Sequence, residues 1–162
     1  MTMADPFKIE GPAAISFSGG RTSAYMLWRI LQSHGGALPG DVPVIFANTG
    51  KEDEATLRFV RDCAENWRVP VVWVEWRDNE QGFEVVTFET ASREGEPFEA
   101  LIKKRQYLPN PVTRFCTYEL KIKAMARYLV ARGIAETVTE GERLGIIGIR
   151  GDEPLRAAKF EK

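Results

Sequence analysis

Short apolar runs alternate along the chain with stretches in which apolar residues recur every three or four positions. The runs are typical of strands buried in a sheet, and the recurring pattern is typical of amphipathic helices. The pattern predicts strands at 13–17, 42–47 and 69–76, with helices between them at 22–32 and 52–68. Because strands and helices alternate in this way, we expect a mostly parallel sheet joined by right-handed crossovers.

The two helices have apolar stripes that are predicted to face the sheet. The stripe residues are Ala24, Leu27, Trp28 and Leu31 on the first helix, and Leu57, Val60, Ala64 and Trp67 on the second. The tryptophans are therefore interpreted as core or edge packing and not as platforms for nucleic-acid bases; they are Trp28, Trp67, Trp73 and Trp76.

The second half of the chain is patterned less regularly. Residues 82–90 are predicted to form a further strand or a hairpin. The remaining predicted elements are helices at 97–106 and 117–132, the latter capped by Gly133, and strand-like runs at 137–138 and 144–149.

Length and composition predict one domain over 1–162, with 1–11 and 155–162 as flexible tails. A net charge of −1 gives no global field that would attract nucleic acid or a membrane surface. No apolar stretch approaches the length of about 20 residues needed to span a bilayer, and the N-terminal segment has no apolar signal-peptide core. Cys63 and Cys116 are too few for a disulfide framework, so we expect a reducing, cytoplasmic compartment.

A glycine-serine loop joins the first predicted strand to the first helix. Its sequence is Ser16-Phe17-Ser18-Gly19-Gly20-Arg21-Thr22-Ser23. Such a loop presents backbone N–H groups at a helix N-terminus, where negative charge is favoured, and its glycines let a ligand approach the backbone closely. A phosphate, pyrophosphate or sulfate group is the expected ligand. The alternative is a simple turn in which Ser18 or Thr22 caps the helix.

Three further motifs follow predicted strands or open a helix. They are Asn48-Thr49-Gly50-Lys51-Glu52, then Arg114-Phe115-Cys116-Thr117 followed by Lys121 and Lys123, and finally Arg150-Gly151-Asp152-Glu153. Ligands of open α/β sheets bind at the carboxyl ends of the strands, which favours a shared site. For the Asn48–Gly50 segment, a purely structural turn is the alternative.

Cys116 is the candidate reactive group of this site. A thiol at a helix N-terminus, two residues after Arg114, is expected to ionise readily and to suit a nucleophile or a metal ligand. The alternative is a small buried side chain, and this is the interpretation chosen for Cys63. Lys121, Lys123 and Arg150 are candidate anion contacts, with Lys123 placed on the same helix side as Cys116. The alternative is a solvated helix face for at least one of the lysines, and an ion pair with Asp152 or Glu153 for Arg150.

One histidine is present, His34, and it is interpreted as an exposed loop residue. No metal site is predicted, since neither a zinc set nor a histidine triad can be assembled from this inventory.

With these motifs assembled, the chain resembles the phosphoadenosine phosphosulfate (PAPS) reductase family, within the wider adenine nucleotide α-hydrolase group that has a PP-loop. The resemblance rests on residues 16–23, on 48–52 with Glu54-Ala55-Thr56, on 114–117 with Lys121, and on 148–153. The chain is similar overall to the short members that occur in phages and mobile elements. The resemblance implies a Rossmann-like, three-layer α/β/α domain with a mostly parallel sheet.

The resemblance also implies an oxidoreductase or transferase of sulfur metabolism that binds an adenine nucleotide: PAPS, adenosine phosphosulfate (APS) or ATP. The implied nucleotide-binding residues are Ser16, Ser18, Gly19, Gly20, Arg21, Thr22, Ser23, Asn48, Thr49, Gly50, Glu52, Arg114, Lys121 and Arg150, and the implied catalytic residue is Cys116. In the reductases a thiol attacks the sulfur of the sulfonucleotide and sulfite leaves. A thiol reductant protein and a second copy of the chain are the implied partners; a membrane is not expected, and nucleic acid is not indicated.

Three departures from the family pattern keep other functions open. Thr22 stands where the ATP pyrophosphatase relatives have an acid, which weakens the case for Mg²⁺-assisted cleavage of ATP, although Mg²⁺ is kept as a candidate. No later cysteine pair is present, so no iron–sulfur cluster is expected within one chain, and residues 155–162 lack the tail cysteine of the reductases. The alternatives are therefore an ATP pyrophosphatase that adenylates a substrate and a non-catalytic nucleotide-binding module.

Overall fold

The computed structural model of the protein describes residues 5–110, 112, 114–135 and 145–146. The strands of this part are Ala14–Ser16 (β1), Val44–Asn48 (β2), Val71–Trp76 (β3), Phe83–Val86 (β4) and Gly145–Ile146 (β5). They form one sheet in the order β4-β3-β2-β1-β5. Strand β1 runs parallel to both β2 and β5, and β2 runs parallel to β3. The predicted mostly parallel α/β sheet is therefore confirmed.

Residues 82–90 contain the antiparallel member of this sheet. Strand β4 pairs with β3 in a register that places Phe83 opposite Trp76 and Val86 opposite Trp73. Gly82 precedes β4 with a φ of 74°, and its N–H donates to the carbonyl of Asn79. The hairpin interpretation of this segment is thus confirmed. The strand predicted at 144–149 is represented by β5, while its remaining residues and the run at 137–138 lie outside the described residues.

The described helices are Arg21–Ser33 (α1), Glu54–Trp67 (α2), Glu96–Arg105 (α3), Phe115–Thr117 (α4) and Ala124–Ala131 (α5). The segment between α4 and α5, Tyr118–Lys123, is π-helical. The predicted helix over 117–132 is thus confirmed, with a π-helical segment inside it in which hydrogen bonds from i to i+5 place an extra residue in the turn. Gly133 follows this helix with a φ of 68°, as a C-terminal glycine cap requires.

The sheet contributes to two apolar clusters. Ile15, Val44 and Phe46 pack with the buried side chains of α1 and α2, whereas Ile45 and Val74 pack with those of α3, the π-helical segment and α5. Val44, Ile45 and Phe46 are neighbours in β2, and side chains alternate along a strand. A strand buried on both faces explains why the run 44–48 contains no exposed residue.

Two sequence-based interpretations are wrong in this part of the structure. The sequence pattern places Trp28 on the buried stripe of the first helix, but its side chain is 40% exposed. The buried face of α1 is formed instead by residues that include Met26 and Ile30, so Trp28 lies beyond its edge. His34 is half-buried rather than exposed, and its Nε2 accepts a hydrogen bond of 3.0 Å from the N–H of Ile9.

Candidate nucleotide-binding site

The glycine-serine loop connects β1 to α1, and α1 begins directly after Gly20. Gly20 is the N-cap residue, with an extended backbone (φ −91°, ψ 159°) and without a side-chain cap hydrogen bond. The alternative in which Ser18 or Thr22 caps the helix is therefore not what the structure contains. The first N–H groups of a helix have no acceptor within the helix, so the first turn of α1 presents donors at a positive dipole end.

The serines of the loop are joined to each other. Ser18 Oγ lies 3.0 Å from Ser23 Oγ, and the Ser23 hydroxyl donates to the Gly20 carbonyl at 2.9 Å. Ser23 is buried, whereas Ser18 and Gly20 are exposed. The buried hydroxyl thus fixes the loop, and the exposed side presents Ser18 and the backbone of Gly20 to a ligand.

Gly19 is required by the packing of the loop against α2. Its φ is 76°, which favours glycine. A Cβ at this position would lie 2.7 Å from Thr56 Cγ2 and 3.0 Å from Val60 Cγ2. Gly20 differs, since a Cβ there would have Ser18 Oγ at 3.7 Å as its nearest neighbour. The two glycines therefore have separable roles, because only Gly19 is constrained by the fold itself.

The end of β2 is tied to the neighbouring strand by a buried polar network. Asn48 is fully buried, and its Nδ2 donates to Glu75 Oε1 at 2.6 Å and to the Ser92 carbonyl at 2.9 Å. Its Oδ1 accepts from the N–H of Gly50 at 3.2 Å. The side chain of Asn48 is thus occupied by protein partners and shapes the turn that follows β2.

Glu75 is the centre of this network. It is fully buried, and it accepts hydrogen bonds from Ser92 N and Ser92 Oγ, each at 2.7 Å. Arg77 Nη1 lies 2.7 Å from Glu75 Oε2, and Arg77 also pairs with the exposed Glu84. A buried carboxylate is tolerated when it is paired and hydrogen-bonded in this way. The network fixes the segment after β4 against the carboxyl ends of β2 and β3.

The same segment approaches the turn after β2 through two glycines. Gly50 has a φ of 78°, and a Cβ there would lie 3.1 Å from the Cα of Gly95. Gly95 has a φ of 90° and is covered by the Lys51 side chain, whose Nζ donates to the Glu94 carbonyl at 3.2 Å. The two backbone segments can approach each other this closely because neither glycine carries a side chain.

Glu52 and Lys121, which belong to different motifs, meet at this edge of the sheet. The Glu52 carboxylate accepts from Thr49 N at 2.9 Å and from Thr49 Oγ1 at 3.0 Å. Lys121 Nζ, on the π-helical segment, lies 3.4 Å from Glu52 Oε1. The Glu52 side chain is 12% exposed and that of Lys121 is 41% exposed. The ammonium is therefore held at the end of β2, on a side chain that stays partly exposed to an anion.

Lys123 has a different environment from Lys121. Its Nζ lies 3.3 Å from Glu119 Oε2, and Glu119 also pairs with Arg105. The expectation that Lys123 shares a helix side with Cys116 assumes α-helical spacing, which the π-helical segment does not have. Of the two lysines, Lys121 is the one that reaches a predicted site residue.

Cys116 lies in α4, directly before the π-helical segment that carries Lys121. It is partly buried against the second apolar cluster, and Arg114, the N-cap of α4, is exposed. Cys63 is buried in α2, which confirms its interpretation as a core residue. Burial raises the pKa of the Cys63 thiol, with the charge of Asp62 adding to the effect.

The remaining predicted residues are placed as follows. Ser16 is half-buried in β1, Arg21 is exposed and Thr22 is half-buried at the start of α1, and Arg150 lies outside the described residues. The structure thus brings the loop 18–23 and the turn 48–52 to the ends of adjacent parallel strands, with Lys121 beside the turn.

Residues that the sequence analysis does not single out hold the site together. Glu75, Arg77, Ser92 and Gly95 all lie at this edge of the sheet. One signal is present in the sequence, because Glu75 interrupts the apolar run 71–76. A lone charge inside a strand that is otherwise apolar indicates a buried partner.

Within the described ranges, no group of three or more His, Cys, Asp or Glu side chains is arranged to hold a metal ion. No helix in the described part of the chain is long and apolar enough to cross a membrane.

Comparison with known proteins identifies two relatives, both uncharacterized. The nin region protein ORF290 of Escherichia phage lambda is 33% identical over 150 residues, which cover 88% of this chain and 49% of the phage protein. A protein of Methanocaldococcus jannaschii is 26% identical over 151 residues, which cover 93% of this chain and 25% of the archaeal protein. No family model and no solved structure matches the chain. The chain thus spans about half the length of the phage relative and about a quarter of the archaeal one.

Proposed function

We propose that this chain is a three-layer, Rossmann-like domain that binds an adenine sulfonucleotide through the loop 18–23 and acts in a PAPS reductase-like reaction. The observation that carries the proposal is the uncapped first turn of α1 after Gly20, at the carboxyl end of β1. Strand β1 lies between β2 and β5. The chain passes from β1 to β2 on one side of the sheet and later adds β5 on the other side of β1, so the strand order reverses at β1. The crevice at such a switch point is where open α/β sheets bind ligands.

In this proposal the phosphosulfate group of the ligand lies over the loop. The N–H groups of the first turn of α1 donate to its oxygens, and the Ser18 hydroxyl turns from Ser23 Oγ to donate to them as well. Lys121 supplies a positive charge from the end of β2, and Glu52 keeps that ammonium in position. Arg114, Arg150 and the backbone of the turn 48–50 are the further proposed contacts.

Cys116 is the proposed nucleophile. Its thiolate attacks the sulfonate sulfur, the bond from sulfur to the phosphate oxygen breaks, and the nucleoside phosphate leaves with the electron pair. A thiolate of a dithiol reductant protein then attacks Sγ of the S-sulfocysteine, so that a mixed disulfide forms and sulfite leaves with the electron pair. The second thiol of the reductant resolves the mixed disulfide, and the dithiol supplies the two electrons.

Release of sulfite in the presence of a dithiol tests the chemical step. With PAPS or APS as substrate, we expect Cys116→Ala to abolish sulfite release while nucleotide affinity changes by only a few-fold. Cys63→Ala is the matched control, because Cys63 lies in the core cluster of α1 and α2. Retained turnover in Cys116→Ala would remove Cys116 from the reaction.

The two lysines of the π-helical segment provide a test of anion binding that does not depend on turnover. We expect Lys121→Ala to weaken nucleotide binding by about 1.5–3 kcal/mol, the scale of a hydrogen bond to a charged group. Lys123→Ala is the control, since its ammonium pairs with Glu119 instead of Glu52. Equal effects of the two variants would contradict the assigned role of Lys121.

A further inference from the structure

The outer face of α1 combines exposed aromatic rings with arginines. Arg21, Tyr25, Trp28 and Gln32 share one side of the helix at 100° per residue, and Arg29 flanks them. Tyr25 is 56% exposed and Trp28 is 40% exposed, although both are large side chains. We call these five residues the α1 outer face. At 1.5 Å per residue, the distance from position 21 to position 32 is about 17 Å.

The aromatic rings and one arginine of this face are already ordered. The rings of Tyr25 and Trp28 are stacked, with centroids 6.1 Å apart and an interplanar angle of 29°. Arg29 Nη1 donates to Tyr25 Oη at 2.9 Å, and the guanidinium lies 4.4 Å from the centroid of the Phe7 ring. A ligand that stacks on these rings therefore meets a surface that has little side-chain freedom left to lose.

The charge of the α1 outer face is positive. Helix α1 contains no Asp or Glu. Among the described residues, neither Arg21 nor Arg29 has a carboxylate oxygen within 4.0 Å of its guanidinium. Asp5, which lies at the C-terminal end of the helix, accepts a hydrogen bond from the hydroxyl of Ser33. Hydrogen bonds from Ser33 and Phe7 lower the pKa of Asp5, and the charge of Arg29 adds to this effect. Arg21 is thus fully available to anionic groups of a partner, whereas part of the Arg29 charge is offset by Asp5.

We propose that the α1 outer face binds single-stranded nucleic acid. Stacked aromatic rings next to guanidiniums without a carboxylate partner are what a single strand recognises, because its bases expose π-faces and its phosphates carry the charge. A duplex keeps its bases stacked on each other and offers no free base to Trp28. The chain's net charge of −1 restricts this binding to the local face. Arg21 also belongs to the loop 18–23, so the strand meets the nucleotide site at this one residue, whereas Tyr25 and Trp28 lie outside that loop.

Fluorescence anisotropy with a fluorescein-labelled dT12 oligonucleotide without terminal phosphates tests this surface. We expect binding that weakens about sevenfold between 50 and 200 mM salt, the dependence for two neutralised phosphates on a single strand. Trp28→Ala should weaken binding by about 5- to 150-fold, the range for loss of one stacked base. Trp28→Phe retains a stacking ring and should restore most of the affinity.

Matched controls place the effect on α1. Tyr107→Ala removes an aromatic side chain of similar exposure, 48%, outside α1, and Arg58→Ala removes an arginine of α2. Both should bind dT12 as the parent does, whereas Arg21→Ala should reduce the salt dependence. Pyrophosphate should weaken dT12 binding no more than Arg21→Ala does, because Arg21 is the one residue that this face shares with the loop 18–23.

Several results would overturn the proposal. One is absence of dT12 binding at 50 mM salt, and a second is equal affinity for a duplex of 12 base pairs. A third is displacement of dT12 by polyglutamate at matched charge. The last result would assign the face to an acidic protein segment instead.

Discussion

Replacing Glu75 with Gln should destabilise the protein far more than the same change at Glu84, although both carboxylates pair with Arg77. Each carboxylate lies 2.7 Å from the Arg77 guanidinium, but Glu75 is fully buried and the Glu84 side chain is 55% exposed. The amide introduced by Glu75→Gln would also direct its NH₂ group at the donors of Asn48 or Ser92. Comparing the two variants therefore separates the effect of burial on stability from the effect of pairing with Arg77.

The expected magnitude follows from the environment of each carboxylate. Removing one partner of a buried ion pair costs about 3–5 kcal/mol. Since the Arg77 side chain is 29% exposed and can regain water, we expect about 2–4 kcal/mol for Glu75→Gln. An exposed pair contributes less than about 1 kcal/mol, which is the expectation for Glu84→Gln.

Urea unfolding monitored by tryptophan fluorescence measures both variants. Trp73 and Trp76 lie in β3 with Glu75, so their emission reports on this part of the sheet. A smaller free energy of unfolding with an unchanged m-value would indicate loss of native interactions alone. If Glu75→Gln and Glu84→Gln lost similar stability, the buried network would not be what holds the segment 91–96 at the sheet edge.

Further predictions concern the loop glycines, the thiols and one surface carboxylate. Gly19→Ala should cost about 2–4 kcal/mol in urea unfolding, because it combines a positive φ with contacts of 2.7 and 3.0 Å to α2, whereas Gly20→Ala should cost less than about 1 kcal/mol. Iodoacetamide at pH 7.5 should alkylate Cys116 well before Cys63, whose thiol is buried and has a raised pKa; mass spectrometry showing the reverse order would contradict the packing of α2. The pKa of Glu54 is lowered by its hydrogen bond from an arginine, so the carboxylate stabilises the fold at neutral pH, and this contribution is lost as pH falls below about 4.5 through the lowered pKa. Glu54→Gln should thus be less stable than the parent at pH 7, and this difference should shrink as pH falls below about 4.5. A difference that stays unchanged in acid would assign the effect to something other than ionisation.

The sheet is predictable because its strands are continuous apolar runs. Residues 44–48 are buried along their whole length, and a run of this kind has few alternatives to a strand covered on both faces. The helical stripes are predictable for the same reason, with one exception. Trp28 lies at one margin of the stripe defined by Leu27 and Leu31. Hydrophobicity alone does not say whether the buried face of the helix extends from this stripe toward Trp28 or, as in the structure, toward Met26 and Ile30.

The contacts that shape the candidate site are not predictable, because they join distant residues. Glu52 and Lys121 are each expected as site residues, but nothing local in the sequence indicates that a carboxylate at 52 meets an ammonium at 121. The π-helical segment has no local sequence signature, and it changes which side chains share a face. Glu75 is easily overlooked because its neighbours in β3 suggest a continuous apolar strand.

Calorimetric titration with PAPS, APS, ATP, AMP and adenosine 3′,5′-bisphosphate, with and without Mg²⁺, determines whether the loop 18–23 binds a sulfonucleotide. We expect Mg²⁺-independent binding of the sulfonucleotides or their nucleoside phosphate products. We also expect Gly20→Ala, which leaves stability nearly unchanged, to weaken this binding by crowding the anion over the first turn of α1. A preference for ATP with Mg²⁺ would favour an ATP pyrophosphatase instead. Absence of binding to every nucleotide would contradict the assignment of the loop 18–23 as a nucleotide site.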